Sequence, residues 1–242
     1  MKSTLRRLRE LKQSARTALV TGVQMGRSLL SPALRRTAVS ADAAKAVEGC
    51  TRWMEDYLGQ PHSQLGRNGE ICPYIKAALR KDHVSYRCYD AVTTITAPEI
   101  ADIFVRECVA LERLVDPRDE DADLTAICVL FPRMRPADFP HMAEAHQRAK
   151  GVLMGRGIML AVFYPGYEKQ ALYNPDFKLY QSPYPVAALR PMAIRDIAFL
   201  EYNREAFAEY RRRFASQFAA DKVSNKFGHV DRYREAEKRF PS

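Results

Sequence analysis

The sequence predicts a mixed α/β or α+β fold, with one central sheet of about four strands, covered by helices and followed by a long C-terminal helix. Three observations predict it. Two continuous apolar runs, residues 126–132 (AICVLFP) and 158–164 (IMLAVFY), have the composition of strands buried on both faces. Segments with apolar residues at helical spacing lie between and around them. The 47% hydrophobic and 28% charged fractions of the 242 residues suit a domain of about 200 residues plus an appendage.

Each element has a local reason. Ser40 and Asp42 open a helix whose apolar face is Ala43, Ala44, Val47, Trp53, Met54 and Tyr57 or Leu58, stopped by Gly59-Gln60-Pro61. A short helix follows in residues 71–79, with Pro73 in its first turn. Residues 84–89 alternate as a strand does, and Thr96-Ala97-Pro98-Glu99 is a capping-box start for a helix buried along Ile100, Ile103, Phe104, Val105, Cys108 and Leu111. The acidic run 116–123 reads as a solvated turn. The strand at 126–132 leads to a helix over 137–152, then to the strand at 158–164, giving an expected parallel β-α-β unit over 126–164. Residues 182–190 are a further strand with prolines at its start, reached by a long connection that permits antiparallel pairing, and 196–218 a long final helix.

Charge divides the chain near residue 41. Residues 1–40 hold nine Lys or Arg and one acid, Glu10, so the rest holds 38 − 9 = 29 basic and 29 − 1 = 28 acidic residues. The body, residues 41–242, is nearly neutral, which argues against a nucleic-acid-binding face on it. The basic arm, with Leu5, Leu8 and Leu11 at helical spacing, reads either as a contact to a membrane surface or acidic partner, or as a solvated N-terminal arm and linker. It also has the Arg-rich, acid-poor character of a transit peptide, but a cytoplasmic protein is the expectation. The five cysteines, at 50, 72, 88, 108 and 128, form no C-x-x-C pair and read as reduced thiols.

Catalytic signatures with glycine elbows, zinc-binding helices, phosphate loops or dinucleotide fingerprints are missing from the sequence. Two segments stand out instead. Residues 172–190 gather Tyr173, Phe177, Tyr180 and Tyr184 with three prolines, which suits either a pocket wall or a cover for the sheet edge. Cys72 lies at an expected helix start, where a thiolate is favoured, although a structural cysteine packed under a turn is the better fit. His141 and His146, on one helix about 140° apart around its axis, are poorly placed to share one metal ion. Either could serve singly as a haem ligand or be an ordinary helix residue.

The stretches Gly66-Arg67-x-Gly69-x-x-Cys72-Pro73-Tyr74 and Gly157-Ile158-Met159-Leu160, then Asn174-Pro175-x-Phe177-Lys178, Ser182-Pro183-x-Pro185 and Ala188-x-Arg190-x-Met192, resemble a bacterial domain family of unknown function. The resemblance spans about residues 60–200. Members of that family often occur among biosynthetic genes for specialised metabolites. The family is in turn distantly similar to haem-dependent enzymes that oxidise arginine-like substrates. Members commonly carry His where this chain has Tyr164 and Pro191, which implies either that Tyr164 replaces a haem ligand or hydrogen-bonding group, or that the site is inactive or reassigned.

The resemblance implies an enzyme of specialised metabolism, a haem-dependent oxygenase of a small amino-acid-like substrate. In that reading Cys72 and Tyr164 act at the reacting centre, and His141, His146 and Arg190 hold the cofactor. Arg67, with Arg190, takes a substrate carboxylate or haem propionate, and Tyr180 and Tyr184 wall the pocket. The alternative is a non-catalytic module that binds a small molecule or protein, its basic arm touching a membrane or acidic partner. A homodimer is compatible with both.

Overall fold

Four strands and seven helices follow from these patterns in the computed structural model, which describes residues 40–225 and 228–241. The basic arm expected over residues 1–40 lies, apart from Ser40, outside the described residues. Helix α1 (Ala41–Trp53) starts where the Ser40 side chain accepts the Ala43 N–H at 3.0 Å, and continues as a wider π turn, Met54–Leu58, to Gly59. Its buried stripe, Ala43, Ala46, Cys50, Met54 and Leu58, keeps the helical period. Helix α2 (Ile75–Arg80) has six residues and begins after Cys72 and Pro73, which occupy the preceding turn.

Strand β1 (Val84–Cys88) is followed by α3 (Ala97–Leu114). There the Thr96 N–H and hydroxyl both donate to Glu99 Oε2, at 2.9 and 2.6 Å, as the capping pattern predicts. Strand β2 (Ala126–Leu130) is buried from Ile127 onward. Helix α4 (Pro140–Gly155) starts later than expected because a 3₁₀ turn, Pro136–Asp138, takes its first residues. Strand β3 (Ile158–Phe163) and strand β4 (Val186–Pro191) complete the sheet. Residues 182–185 stay outside the ladder, as their prolines lack the donors a strand needs.

The sheet order is β1-β2-β4-β3. β1 and β2 pair in parallel, while β4 runs antiparallel to both β2 and β3. The parallel pair therefore belongs to β1-α3-β2. The expected unit over 126–164 has strands of the same direction, but β4 is inserted between them. The long connection before β4 gives the antiparallel pairing it permits.

The expected final helix divides: α5 (Ile197–Leu200) ends, Asn203 caps α6 (Arg204–Ala219) by accepting the Ala206 N–H at 2.8 Å, and a further helix, α7 (His229–Arg239), follows. Three cores result. α3 and α4 cover one sheet face through Phe104, Leu111, Met142 and Leu153. α1, Leu65, Ile71, Phe177 and Leu179 cover the other. α5–α7 close around Phe207, Tyr210 and Tyr233 against Met159 and Met192. Each large side chain so buried contributes about 1.5–3 kcal/mol. No described helix is long and apolar enough to cross a membrane.

Two glycines should respond in opposite directions to alanine. Gly66 has φ 76°, and a Cβ there would lie 2.5 Å from the Tyr173 carbonyl oxygen, which is backbone and cannot give way. Gly151 sits on the exposed side of α4 with open space around it. Urea denaturation should show Gly66→Ala destabilised by about 3 kcal/mol and Gly151→Ala stabilised by about 0.5–1 kcal/mol.

Candidate functional site

The penultimate residue of strand β4 is an arginine whose charge is absorbed inside the protein. Arg190 donates to Asp196 Oδ2 and Oδ1 at 2.7 and 2.6 Å, and to the Pro191 carbonyl at 2.9 Å. Asp196 is 2% exposed and also accepts the Ala193 N–H at 2.7 Å. The guanidinium lies 4.8 Å from the centre of the Tyr74 ring. Burial works against the charge on Arg190, but the Asp196 carboxylate outweighs it and raises its pKa. The carboxylate that Arg190 was expected to take from a ligand is thus the protein's own.

Beside this pair lies a cleft of about 440 Å³, bounded by Tyr74, Asp123, Ile194, Arg195, Phe214 and Gln217. The segment 192–195 leaves the sheet here, with Asp196 turned inward and Arg195 exposed. Tyr210, on α6, holds that segment by donating its hydroxyl to the Ile194 carbonyl at 2.5 Å. Among the described residues, the Tyr74 hydroxyl is the one buried side-chain polar atom without a hydrogen-bond partner. Burial first, and then the nearby Asp196 charge, push its pKa up to about 12, so it stays a donor. Neither Arg195 nor Asp123 forms an ion pair among the described residues.

The other expected site residues fall into separate places. Arg67 staples its own turn, donating to the carbonyls of Asn68, Glu70 and Ile71 at 2.9–3.0 Å. That turn meets the Asn174-Pro175 loop: Asn174 donates to the Gln64 carbonyl at 2.7 Å and the His62 ring stacks on Phe177 at 4.3 Å. Cys72 is half-buried, with its N–H on the Leu58 carbonyl at 2.8 Å. Cys50, Cys88 and Cys128, distant in sequence, converge with it on the α1 face. Burial raises the Cys88 and Cys128 pKa values to about 12 and pushes that of Cys50 well above the usual thiol value, which keeps these free thiols protonated.

Tyr164, Tyr180 and His146 do gather, around two residues the sequence reading passed over. Tyr164 stacks on Tyr167 at 4.2 Å, Tyr167 lies 6.3 Å from Tyr180, and Lys169 Nζ sits 4.5 Å over the Tyr180 ring. Burial, and then Lys150, lower the Lys169 pKa. The Tyr184 ring packs on Gly49 of α1. His141 donates Nδ1–H to the Ile95 carbonyl at 2.8 Å, and His146 donates Nε2–H to the Leu160 carbonyl of β3 at 3.1 Å. A carbonyl can only accept, which fixes both tautomers.

Tyr164 and Arg190 mark opposite ends of the β3–β4 pair, since Arg190 is registered with Met159 and Tyr164 follows Phe163. Five residues of strand, about 16 Å, separate those ends. The single pocket expected between Cys72, Tyr164 and the loop ending at Arg190 is therefore two regions. Both helix histidines are oriented by a backbone carbonyl through one ring nitrogen, which leaves each only its other nitrogen. Burial, and then Tyr167, raise the Tyr164 pKa to about 12 and disfavour the phenolate. The groups expected to hold a haem do not fit one around a common space.

His146 should be visible in the pH dependence of stability. Burial, and then Lys169, lower its pKa from 6.5 to about 4. The unfolded chain therefore binds the proton first, and stability falls as pH drops from 6.5 to about 4, by up to roughly 3 kcal/mol. His146→Gln, which keeps a donor toward Leu160, should flatten that slope in urea titrations across this range.

No curated protein and no solved structure matches the chain. The family model described as a domain of unknown function (DUF6875) matches residues 47–225, from α1 through the end of α6. The chain belongs to the DUF6875 family of domains.

Proposed function

We propose that the protein binds a small zwitterionic, amino-acid-like molecule in the cleft beside Tyr74. The observation that carries this reading is a buried hydroxyl that, among the described residues, has no partner, at the wall of a cleft that also holds a cation and an anion without an ion pair among those residues. Buried polar groups are nearly always satisfied, and the Tyr74 hydroxyl keeps a donor that a ligand acceptor in the cleft can take. Arg195 offers a planar fork for a carboxylate. Asp123 offers an acceptor for an ammonium or guanidinium group. Ile194, Phe214 and the Tyr74 ring give the apolar wall that most ligand sites have, and about 440 Å³ suits a small molecule.

Residues of three segments meet here: the turn before α2, the loop before β2, and the segment after β4 with α6. The ligand thus bridges the sheet and the C-terminal helices. The same ligand class agrees with the amino-acid-like substrate that the resemblance implies.

Calorimetric titration of the full chain with a panel of free amino acids and their guanidino relatives tests the proposal. At least one member should bind. Arg195→Ala should weaken it tenfold or more, and Arg195→Ala should have no effect on the corresponding carboxamide. Asp123→Asn should weaken ligands bearing the amine, and Tyr74→Phe should weaken all of them. Failure of every panel member to bind, or binding indifferent to Arg195 and Asp123, contradicts it.

A further inference from the structure

Apart from the cleft and its ligand, a second cluster lies where the α2–β1 turn meets the acidic loop. His83, Asp119 and Asp121 each bring one donor atom to within 4.8 Å of the others, the one such group of three among the described residues. We propose that these residues bind a single divalent transition-metal ion of borderline softness, such as Zn²⁺ or Co²⁺.

The spacing carries the inference. His83 Nε2 lies 3.7 Å from Asp119 Oδ2, too long for a hydrogen bond. Two ligands at about 2.0–2.1 Å from one ion stand about 3.0–3.4 Å apart in octahedral or tetrahedral geometry, so a contraction of a few tenths of an ångström brings His83 and Asp119 to ligand spacing, with the Asp121 carboxylate within 4.8 Å of both.

An independent observation concerns the imidazole's other nitrogen. His83 Nδ1 is within 3.3 Å of the hydroxyl of Thr125, a residue outside the cluster and 9% exposed. The adjacent backbone is anchored too, because the Ala126 N–H donates to the His83 carbonyl at 2.8 Å. The ring is thus aimed with Nε2 at the carboxylates, as outer partners aim metal-binding histidines. Mixed nitrogen and carboxylate donors suit borderline transition ions better than Mg²⁺ or Ca²⁺, which take all-oxygen shells.

The carboxylates are held by local geometry. Asp119 accepts the Asp121 N–H at Oδ1, leaving Oδ2 toward the histidine. The ammonium of Lys81 pairs with Asp121 Oδ2 and compensates the charge of the cluster. An arriving ion must displace it. Lys81 is therefore a competitor of the metal, which gives the test a signature that general attraction of cations to an acidic surface lacks.

The experiment uses chelator-treated full-length protein, titrated with Zn²⁺ against a chromophoric competitor and separately with Co²⁺ followed by visible absorption. One ion per chain should bind, with Co²⁺ bands characteristic of mixed nitrogen and oxygen ligation. His83→Gln and Asp119→Asn should each weaken binding at least tenfold, whereas Lys81→Met should tighten it and Asp116→Asn, outside the cluster, should leave it unchanged. Circular dichroism matching the unsubstituted protein separates loss of ligand from loss of fold. Absence of binding, affinity unchanged in His83→Gln and Asp119→Asn, or weaker binding in Lys81→Met overturns the proposal.

Discussion

The Arg190–Asp196 pair is the interaction on which the rest of the molecule's functional end depends. A carboxylate 2% exposed is tolerable only with a cation and hydrogen bonds that replace its water. Arg190 and the Ala193 N–H supply them. Satisfying Asp196 fixes the exit of β4, because the chain must turn back within six residues to bring the carboxylate to the guanidinium. That turn presents the Ile194 carbonyl to Tyr210 and leaves Arg195 in the cleft. It also places the guanidinium over Tyr74, whose hydroxyl is then shut in without a partner.

The sheet divides the remaining chemistry between its faces and ends. Four thiols converge on the α1 face, where burial keeps at least three of them protonated, and there they act as apolar filling. Tyr164 stacks on Tyr167 at the far end of β3, Tyr180 lies tilted to Tyr167, and Lys169 already occupies the face of Tyr180. The cleft instead opens where the segment leaving β4 and helix α6 meet the turn before α2 and the loop before β2. Ligand sites favour such junctions.

Local signals made much of the fold legible. Ser40, the Thr96–Glu99 box and the run 126–130 each determine their own element through contacts a few residues away. The insertion of β4 between β2 and β3 was not legible, because strand order depends on contacts between distant segments. The break at 201–203 was missed because apolar periodicity continues across it, although Asn203 offers a cap signal. For the site, Arg190 and the Cys72-Pro73-Tyr74 turn stood out in sequence, but their roles did not. Asp196 looks like an ordinary helix-start acid until the fold buries it, and Arg195, Asp123, Lys169 and His83 carry no motif. Only the fold brings them to their partners.

If the buried pair ties the C-terminal helices to the sheet, removing the charge of Asp196 must loosen that junction before the sheet. Native-state hydrogen exchange of Asp196→Asn measures this residue by residue. The amides of α5, α6 and α7 and of residues 192–196 should lose protection, while those of β1, β2 and α3 keep it. Unchanged protection at the junction, or an equal loss throughout the sheet, would contradict the account.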